Sequence, residues 1–157
     1  MPYRSFDQNC SIARSLEVVG ERWTILILRD ISIGFHRFEE IQRNLGIATN
    51  VLADRLATLV EHGVVRKVPT DRPDRFEYRF TRKGATLSPV IAALMHWGDT
   101  WESPNGAPRV IVHTACGHET HPVSTCAHCG EVLEPNEIKT APGPGATAEE
   151  IALGVRP

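Results

Sequence analysis

The most regular pattern of apolar and polar positions lies in residues 35–65, where two short amphipathic segments flank a turn. In the first segment Phe38, Ile41 and Leu45 recur at helical spacing, so their side chains share one face of a helix. The second segment repeats this spacing with Leu52, Leu56, Leu59 and Val60. A glycine at position 46 suits the tight turn between them. The pattern predicts two helices joined by that turn.

A pattern with a period of two follows the second predicted helix. Phe76, Tyr78 and Phe80 alternate with charged residues, as in a strand with one buried face. A turn-rich, basic stretch separates this strand from the apolar pair at residues 64–65. Helix, turn, helix, strand, basic loop and strand is the order of a winged helix-turn-helix, whose second helix enters the DNA major groove. A helical hairpin in an ordinary core gives similar periodicity and is the alternative interpretation.

Further helices are predicted on both sides of this unit. Residues 10–33 read as one or two helices, interrupted at Gly20. Residues 85–101 are apolar over more than one helical face, with Leu87, Val90, Ile91, Leu94, Met95, Trp97 and Trp101. Such a helix needs more cover than a small domain provides, so we expect it to pack against its copy in a homodimer. Burial within a single chain is the alternative.

The predicted fold class is therefore mainly α, of the α+β kind, with small β elements. Residues 1–101 should form the winged helix-turn-helix domain, ending in the long dimerisation helix. Residues 102–109 are rich in turn-forming residues and read as a linker. Residues 110–134 should form a small β-hairpin, resembling a zinc ribbon, whose strand pattern is given by Val110, Val112, Val132 and Leu133. Residues 135–157 are rich in proline and glycine, and we expect partial disorder there with a short helix near residues 148–153.

Composition narrows the class of protein further. The chain has 157 residues, no apolar run long enough to span a membrane and no signal-peptide pattern, which indicates a cytoplasmic protein without a membrane partner. The net charge of −2 does not by itself indicate DNA binding, but the charged residues are unevenly distributed along the chain. Residues 64–84 hold seven basic and three acidic residues, whereas residues 102–157 hold three basic and seven acidic ones. A locally basic loop beside a predicted recognition helix suits contact with DNA.

Several stretches also resemble HxlR-type transcriptional regulators, and together they cover about residues 8–101. They are Cys10–Ala13, Val19–Thr24, Arg37–Ile41, Leu52–Leu56, Tyr78–Gly84 and Trp97–Gly98. The resemblance implies a dimeric, sequence-specific regulator of transcription, most simply a repressor, that binds double-stranded DNA and has no catalytic activity. Two recognition helices in a symmetric dimer would read a pseudo-palindromic operator.

The candidate base-reading residues lie on the second helix of the hairpin, which should begin near Ala48 or Thr49. Thr49 and Asn50 fall in its first turn, where a recognition helix meets base edges, and asparagine can bond both N6 and N7 of adenine. Either residue could instead cap the helix. Arg55 could contact DNA or hold the helix through a salt bridge, and the resemblance favours the DNA.

Three further arginines are candidates for contact with the DNA backbone. Arg37 begins the first helix of the hairpin, where a cation can meet a phosphate, although a plain surface charge is as consistent with the pattern. Arg72 and Arg75 bracket Pro73–Asp74 in the predicted wing. Proline stiffens such a loop, and arginine is the side chain that best enters a narrow minor groove.

A cysteine- and histidine-rich segment follows the linker. Cys126 and Cys129 form a CxxCG knuckle, and Cys116, followed by Gly117 and His118, resembles an incomplete partner knuckle. Three cysteines with His118 would complete a tetrahedral zinc site, as would His113 or His121 in its place. A metal-free ribbon is the alternative, and no cofactor is otherwise required. An enzymatic zinc site is disfavoured, because so short a segment builds little of the pocket that catalysis needs.

Cys10 is the fourth cysteine and lies near a predicted helix start. Some HxlR-like regulators sense oxidants through an N-terminal cysteine, so the resemblance makes Cys10 a candidate redox residue. The alternative function is thus a regulator that senses thiol oxidation or a small ligand, with Cys10 or the Cys/His segment as sensor. A small residue at a dimer contact is the simpler interpretation of Cys10.

Overall fold

The computed structural model describes residues 5–72 and 75–153. Pro73 and Asp74 of the wing, and residues 1–4 and 154–157 at the termini, lie outside the described residues. In chain order the helices are α1 (Ser11–Val19), α2 (Thr24–Ser32), α3 (Phe38–Leu45), α4 (Thr49–Glu61), α5 (Arg82–Ala85), α6 (Ser88–Trp101) and α7 (Ala148–Leu153). The strands are β1 (Val65–Pro69), β2 (Phe76–Phe80), β3 (Ile111–His113) and β4 (His118–Thr120). None of the helices in the described ranges is long and apolar enough to cross a membrane.

The core is built from the inner faces of α2, α3 and α4 together with β1 and β2. Its fully buried apolar residues include Ile27, Leu28, Ile41, Leu52, Leu56, Leu59, Val64 and Val65. The predicted helical faces of the hairpin are thus the buried ones. Gly20 ends α1 as predicted, since its N–H bonds the carbonyl of Leu16 and a Cβ there would press on that carbonyl. Residues 10–33 therefore form two helices.

Two left-handed glycines set the ends of the hairpin helices. Gly46, with φ of +62°, closes α3, and Gly63, with φ of +65°, lets the chain turn from α4 into β1. β1 and β2 then pair in antiparallel register, with Val65 opposite Phe80. The Tyr78 N–H donates to the carbonyl of His36 at 2.7 Å, which ties β2 to the segment before α3. The predicted order of helix, turn, helix and two-stranded wing is confirmed.

The buried face of β2 is shorter than its alternating pattern suggested. Tyr78 is buried and Phe80 is half-buried, but Phe76 is largely exposed. Phe76 pairs with Pro69 at the end of the ladder farthest from Val65, where the strands have passed beyond the core. The ring lies beside the Lys67 ammonium, 5.8 Å from the ring centre, so it is partly covered by a charged chain instead of the core.

The segment after the wing is anchored by Thr81, which is the N-cap of α5. Its hydroxyl donates to the Gly63 carbonyl at 2.6 Å and accepts the Gly84 N–H at 3.1 Å. Helix α6 follows after a short turn and contains no buried residue among those described. It exposes Val90, Leu94, Trp97 and Trp101, so burial within a single chain does not account for its apolar surface.

The chain consists of two compact units, residues 1–121 and residues 122–157. In the first, β3 pairs with β4, and His113 lies opposite His118. In the second, Thr125 forms an isolated bridge with Val132, a 3₁₀ turn covers Pro135–Glu137, and α7 lies where the pattern allowed a short helix. Within residues 110–134 the strands thus pair locally: Val112 in β3 lies opposite Glu119, and Val132 bridges Thr125.

Candidate nucleic-acid interface

The outer face of α4 is short-chained and exposed. Leu52, Leu56 and Leu59 point into the core. The opposite side carries Thr49, Asn50, Ala53, Asp54 and Ala57, all of them exposed. Small side chains let a helix backbone approach a groove closely, and polar ones at its start can reach base edges. This half of α4 has the character of a recognition surface.

Neither Thr49 nor Asn50 caps the helix. The N-cap is Ala48, which makes no side-chain bond. The Thr49 hydroxyl instead accepts a hydrogen bond of 2.7 Å from Nε2 of Gln42 on α3, and its own proton stays available to an acceptor. Within the described residues the Asn50 amide has no hydrogen-bond partner. Gln42 was missed from the sequence, since it lies on α3 and Thr49 on α4, and helical spacing does not predict contacts across the turn between two helices.

The three candidate backbone-contacting arginines meet at one cleft. Arg37, Arg72 and Arg75 line it together with Thr70 and Asp71, and its volume is about 220 Å³. Thr70 shapes the loop from within. Its hydroxyl accepts the Arg72 N–H at 3.3 Å, and its N–H donates to the Arg75 carbonyl at 3.2 Å. Residues from distant parts of the chain thus bring three arginines to one opening, beside Asp71.

Glu77 on β2 positions two of the arginines near the wing. Its carboxylate takes a two-pronged contact from Arg79, with Nη2 at 2.8 Å and Nε at 3.1 Å. Its other oxygen lies 3.8 Å from Nε of Arg37. The hydrogen bond from Arg79 is the main reason that the pKa of Glu77 is lowered, and the charges of Arg79 and Arg37 add to it. Glu77 therefore stays ionised and holds Arg37 against the wing.

Arg55 lies where the salt-bridge interpretation would place it. Its Nη1 is 3.8 Å from Oε1 of Glu21, and the side chain is three-quarters buried, at 24% exposure. The pair links α4 to the turn between α1 and α2. Contact of Arg55 with DNA stays a prediction, and it would require this side chain to leave Glu21.

A buried acid in α2 and a half-buried histidine before α3 lie beside the helical hairpin. Asp30 is fully buried in α2, where its carboxylate accepts Arg29 at 2.7 Å and Nδ2 of Asn44 at 2.8 Å, so it ties α2 to α3. A lone acid inside an apolar helix was the available signal for this role. His36, just before α3, is half-buried, and burial, followed by the charge of Arg79, lowers its pKa.

Two of the predicted zinc ligands, Cys116 and His118, belong to the first compact unit, and the other two, Cys126 and Cys129, belong to the second. In the first, Cys116 lies in the β3–β4 turn with its sulfur 3.3 Å from Nδ1 of His113, and His118 is exposed. In the second, backbone hydrogen bonds from Cys129 and His128 lower the pKa of Cys126. Across residues 5–72 and 75–153 no group of three or more His, Cys, Asp or Glu side chains is arranged to hold a metal ion. Zinc binding stays a prediction.

Cys10 is the N-cap residue of α1 and is half-buried as a free thiol. The N–H of Arg14 bonds its carbonyl at 3.0 Å, which starts the helix. The predicted position at a helix start is confirmed. A redox role for Cys10 stays a prediction.

Helix α3, the turn at Gly46, helix α4 and the β1–β2 hairpin define a winged helix-turn-helix protein. A profile of the HxlR-like helix-turn-helix family matches residues 18–106. The chain belongs to this HxlR family and is a DNA-binding transcriptional regulator of helix-turn-helix type.

Relatives and solved structures agree with that assignment. The chain is 44% identical, over 141 residues, to the uncharacterised HTH-type transcriptional regulator Rv3095 of Mycobacterium tuberculosis, covering 88% of this chain and 89% of the relative. It is 33% identical over 94 residues to the regulator YvaP of Bacillus subtilis, covering 59% of this chain and 87% of the relative.

Among solved structures, PA1607, a candidate transcription factor, superposes with a TM-score of 0.77 and 36% identity over 86% of this chain and 96% of its own. The redox regulator HypR, in its reduced form, superposes with a TM-score of 0.54 and 26% identity over 58% of this chain and 92% of its own. The shared fold thus extends well beyond the α3–α4 helical hairpin.

Proposed function

We propose that the protein is a cytoplasmic, homodimeric repressor that binds a pseudo-palindromic operator. Helix α4 enters the major groove while the wing rests on the neighbouring backbone. The observation that carries this proposal is the cleft that gathers Arg37, Arg72 and Arg75. Guanidinium groups bind phosphate through paired hydrogen bonds, so three of them around one opening suit the DNA backbone.

The residues proposed to contact the bases lie at the start of α4. Asn50 is exposed, and its amide can both donate to and accept from an adenine edge. Thr49, positioned by Gln42, can donate its proton to a base acceptor or a phosphate oxygen. Because Arg55 is engaged by Glu21, its role in the proposal is first to hold α4 in place.

The proposed dimer contact is formed by α6. Val90, Leu94, Trp97 and Trp101 recur at i, i+4, i+7 and i+11, which places them on one narrow stripe of the helix. Their exposed fractions are 57%, 51%, 54% and 71%. A contiguous stripe of large apolar residues on a surface indicates a protein contact, and a twofold axis beside it would let α6 pack against its copy.

The wing assignment is tested by changing Arg72 and Arg75 to glutamine together. We expect weaker binding to a fragment from the protein's own upstream region, and a salt slope reduced by about 0.9 for each phosphate that the variant no longer neutralises. The matched control is the double variant of Arg109→Gln and Lys139→Gln, which removes the same charge from exposed positions outside α4 and the wing. A double wing variant with the same affinity and salt slope as this control would contradict the proposal.

A second candidate function is regulation by thiol oxidation. It is favoured by the half-buried free thiol of Cys10 at the start of α1, and by the likeness to HypR, which is a redox regulator. We expect oxidant to weaken operator binding by the wild-type protein and to have less effect on Cys10→Ser. Equal responses of the two proteins, measured by titrating diamide against bound DNA, would remove Cys10 from the mechanism.

A further inference from the structure

A second pocket lies on the first unit, between α1 and the segment that joins α5 to α6. Its volume is about 260 Å³. The apolar part of its lining consists of Val18 and Val19 from α1, Val64 before β1, and Leu87 before α6. Val64 is buried and the other three are half-buried, so they offer apolar surface to the opening without filling it.

The charged part of the lining is basic. Arg14 and Lys83 line the pocket, and no acidic side chain of the described residues does. Both cations are held by neutral acceptors. Nη2 of Arg14 donates to Oδ1 of Asn9 at 2.7 Å, and Nζ of Lys83 donates to the carbonyl of His62 at 2.7 Å.

The acid nearest in sequence on α1 faces another part of the surface. The Glu17 carboxylate accepts the Ser5 hydroxyl at 2.6 Å and the Phe6 N–H at 3.1 Å, and it lines a separate cleft beside α4. The charge of Arg14 still contributes to lowering the pKa of Glu17, after the hydrogen bonds from Ser5 and Phe6. The lining of the pocket itself holds no acid within the described residues, so its charge is positive and suits an anion from solution.

We infer that this pocket binds a small apolar carboxylate, with one ring or a short branched chain and one charged end. The apolar lining gains free energy by covering the ring, and Arg14 and Lys83 form charge-assisted bonds to the carboxylate. The volume is just below the range of about 300–1,000 Å³ typical of drug-sized ligands, so the ligand is small. Arg14 and Lys83 can reach it by exchanging a neutral acceptor for a charged one.

Occupancy of the pocket acts on the recognition helix through Lys83. The carbonyl that Lys83 now contacts belongs to His62, the C-cap residue of α4. A cation at this end of a helix stabilises it, because the last carbonyls carry partial negative charge. A ligand carboxylate that draws Lys83 away loosens the end of α4. This consequence rests on the proposed function, whereas binding itself does not.

The test titrates benzoate into the full-length, ¹⁵N-labelled protein without DNA, with benzamide as the neutral ligand of the same shape. We expect saturable shifts of the amide signals of Val18, Val19, Leu87 and His62 with benzoate, and much weaker ones with benzamide. Lys83→Gln should weaken benzoate binding about three- to tenfold, the effect of losing one partly exposed charged hydrogen bond. Arg82→Gln, the matched control next in sequence and also exposed, should leave it unchanged.

Arg14→Gln provides a second variant on a different helix, and it should weaken benzoate binding by a similar factor. Absence of saturable benzoate binding, equal binding of benzamide, or equal affinity of the Lys83→Gln and Arg82→Gln variants would each overturn the inference. Because DNA is absent from these titrations, a failure here is distinct from a failure of the wing or the recognition helix to bind DNA.

Discussion

Helices α4 and α6 have similar lengths, but they differ in how far their apolar side chains are buried. Helix α4 buries Leu52, Leu56 and Leu59 completely within its own domain. What α4 leaves in solvent is polar or small. Helix α6 buries none of its described residues and leaves Trp97 and Trp101 more than half exposed.

The difference separates two kinds of contact surface. A helix whose apolar face is already satisfied can offer only its polar side to a partner, and a polar, short-chained side suits the hydrated edges of DNA bases. A helix with an exposed apolar stripe lowers its free energy by excluding water, which requires another apolar surface. We therefore expect changes to the two helices to damage different functions.

The largest effect is expected from Leu94→Glu in the apolar stripe of α6. In a symmetric dimer the substitution is present twice. Each half-exposed Leu94 contributes about half of the roughly 1.5–3 kcal/mol of full burial, and the desolvation of the new carboxylate adds a further cost. The dimer dissociation constant should rise at least about a hundredfold, which sedimentation equilibrium measures. Since the side chain is half exposed in the single chain, the fold should be retained in circular dichroism spectra.

His96→Glu is the matched control for that substitution. His96 is also exposed on α6, but it points away from the stripe and stacks on the ring of His121 with 4.6 Å between ring centres. It should leave the dimer intact. If both variants remained dimeric, the stripe would not be the dimer contact, and the contrast between α4 and α6 would lose its meaning.

These faces could be predicted from the sequence because they depend on local spacing. The leucines of α4 recur at helical intervals, which fixes the buried side and therefore the exposed one, including Asn50. In α6 the apolar residues cover more than one helical face, and this too can be read from the spacing of neighbouring residues. Gly20 and Gly46 mark the interruptions, because left-handed or crowded backbone positions exclude other residues.

The contacts between distant segments could not be predicted in the same way. The spacing of Arg37 and Glu77 carries no period, yet the wing brings them together. Arg55 shows another limit. Its position on α4 is consistent both with contact to DNA and with a salt bridge, and only three-dimensional packing shows that Glu21 is the acid beside it. The strand partners in residues 110–134 are subject to the same limit, since β3 pairs with β4 and Thr125 bridges Val132. Apolar alternation identifies a strand, but it does not specify which of several short strands is its partner.

An intermediate effect is expected from Asn50→Ala, which tests the polar side of α4. Losing a pair of hydrogen bonds to one base should reduce discrimination at that position by about 1–3 kcal/mol, while the dimer remains intact. Because Asn50 is exposed, the free energy of unfolding should change by less than about 0.5 kcal/mol.

Competition between operator variants measures the loss at Asn50, with Asn105→Ala in the exposed linker as the matched control. A uniform loss of affinity across all operator variants would instead assign Asn50 to the phosphate backbone. No loss at all would remove the start of α4 from the base contacts.

The smallest effect is expected from Gly98→Ala in α6, and it asks whether this helix is as open as its apolar residues indicate. A Cβ at Gly98 would meet no atom within 4 Å, whereas one at Gly84 would press against the Val64 carbonyl and come within 2.8 Å of the Phe80 ring. Alanine in a helix is favoured over glycine by about 0.5–1 kcal/mol, so Gly98→Ala should stabilise the chain by that amount. The measurement is urea unfolding in the Leu94→Glu background, where the copy of α6 is absent, and Gly84→Ala should destabilise the same protein. If Gly98→Ala destabilised this monomer, α6 would be packed closely within its own chain, and its apolar stripe would no longer require a second copy.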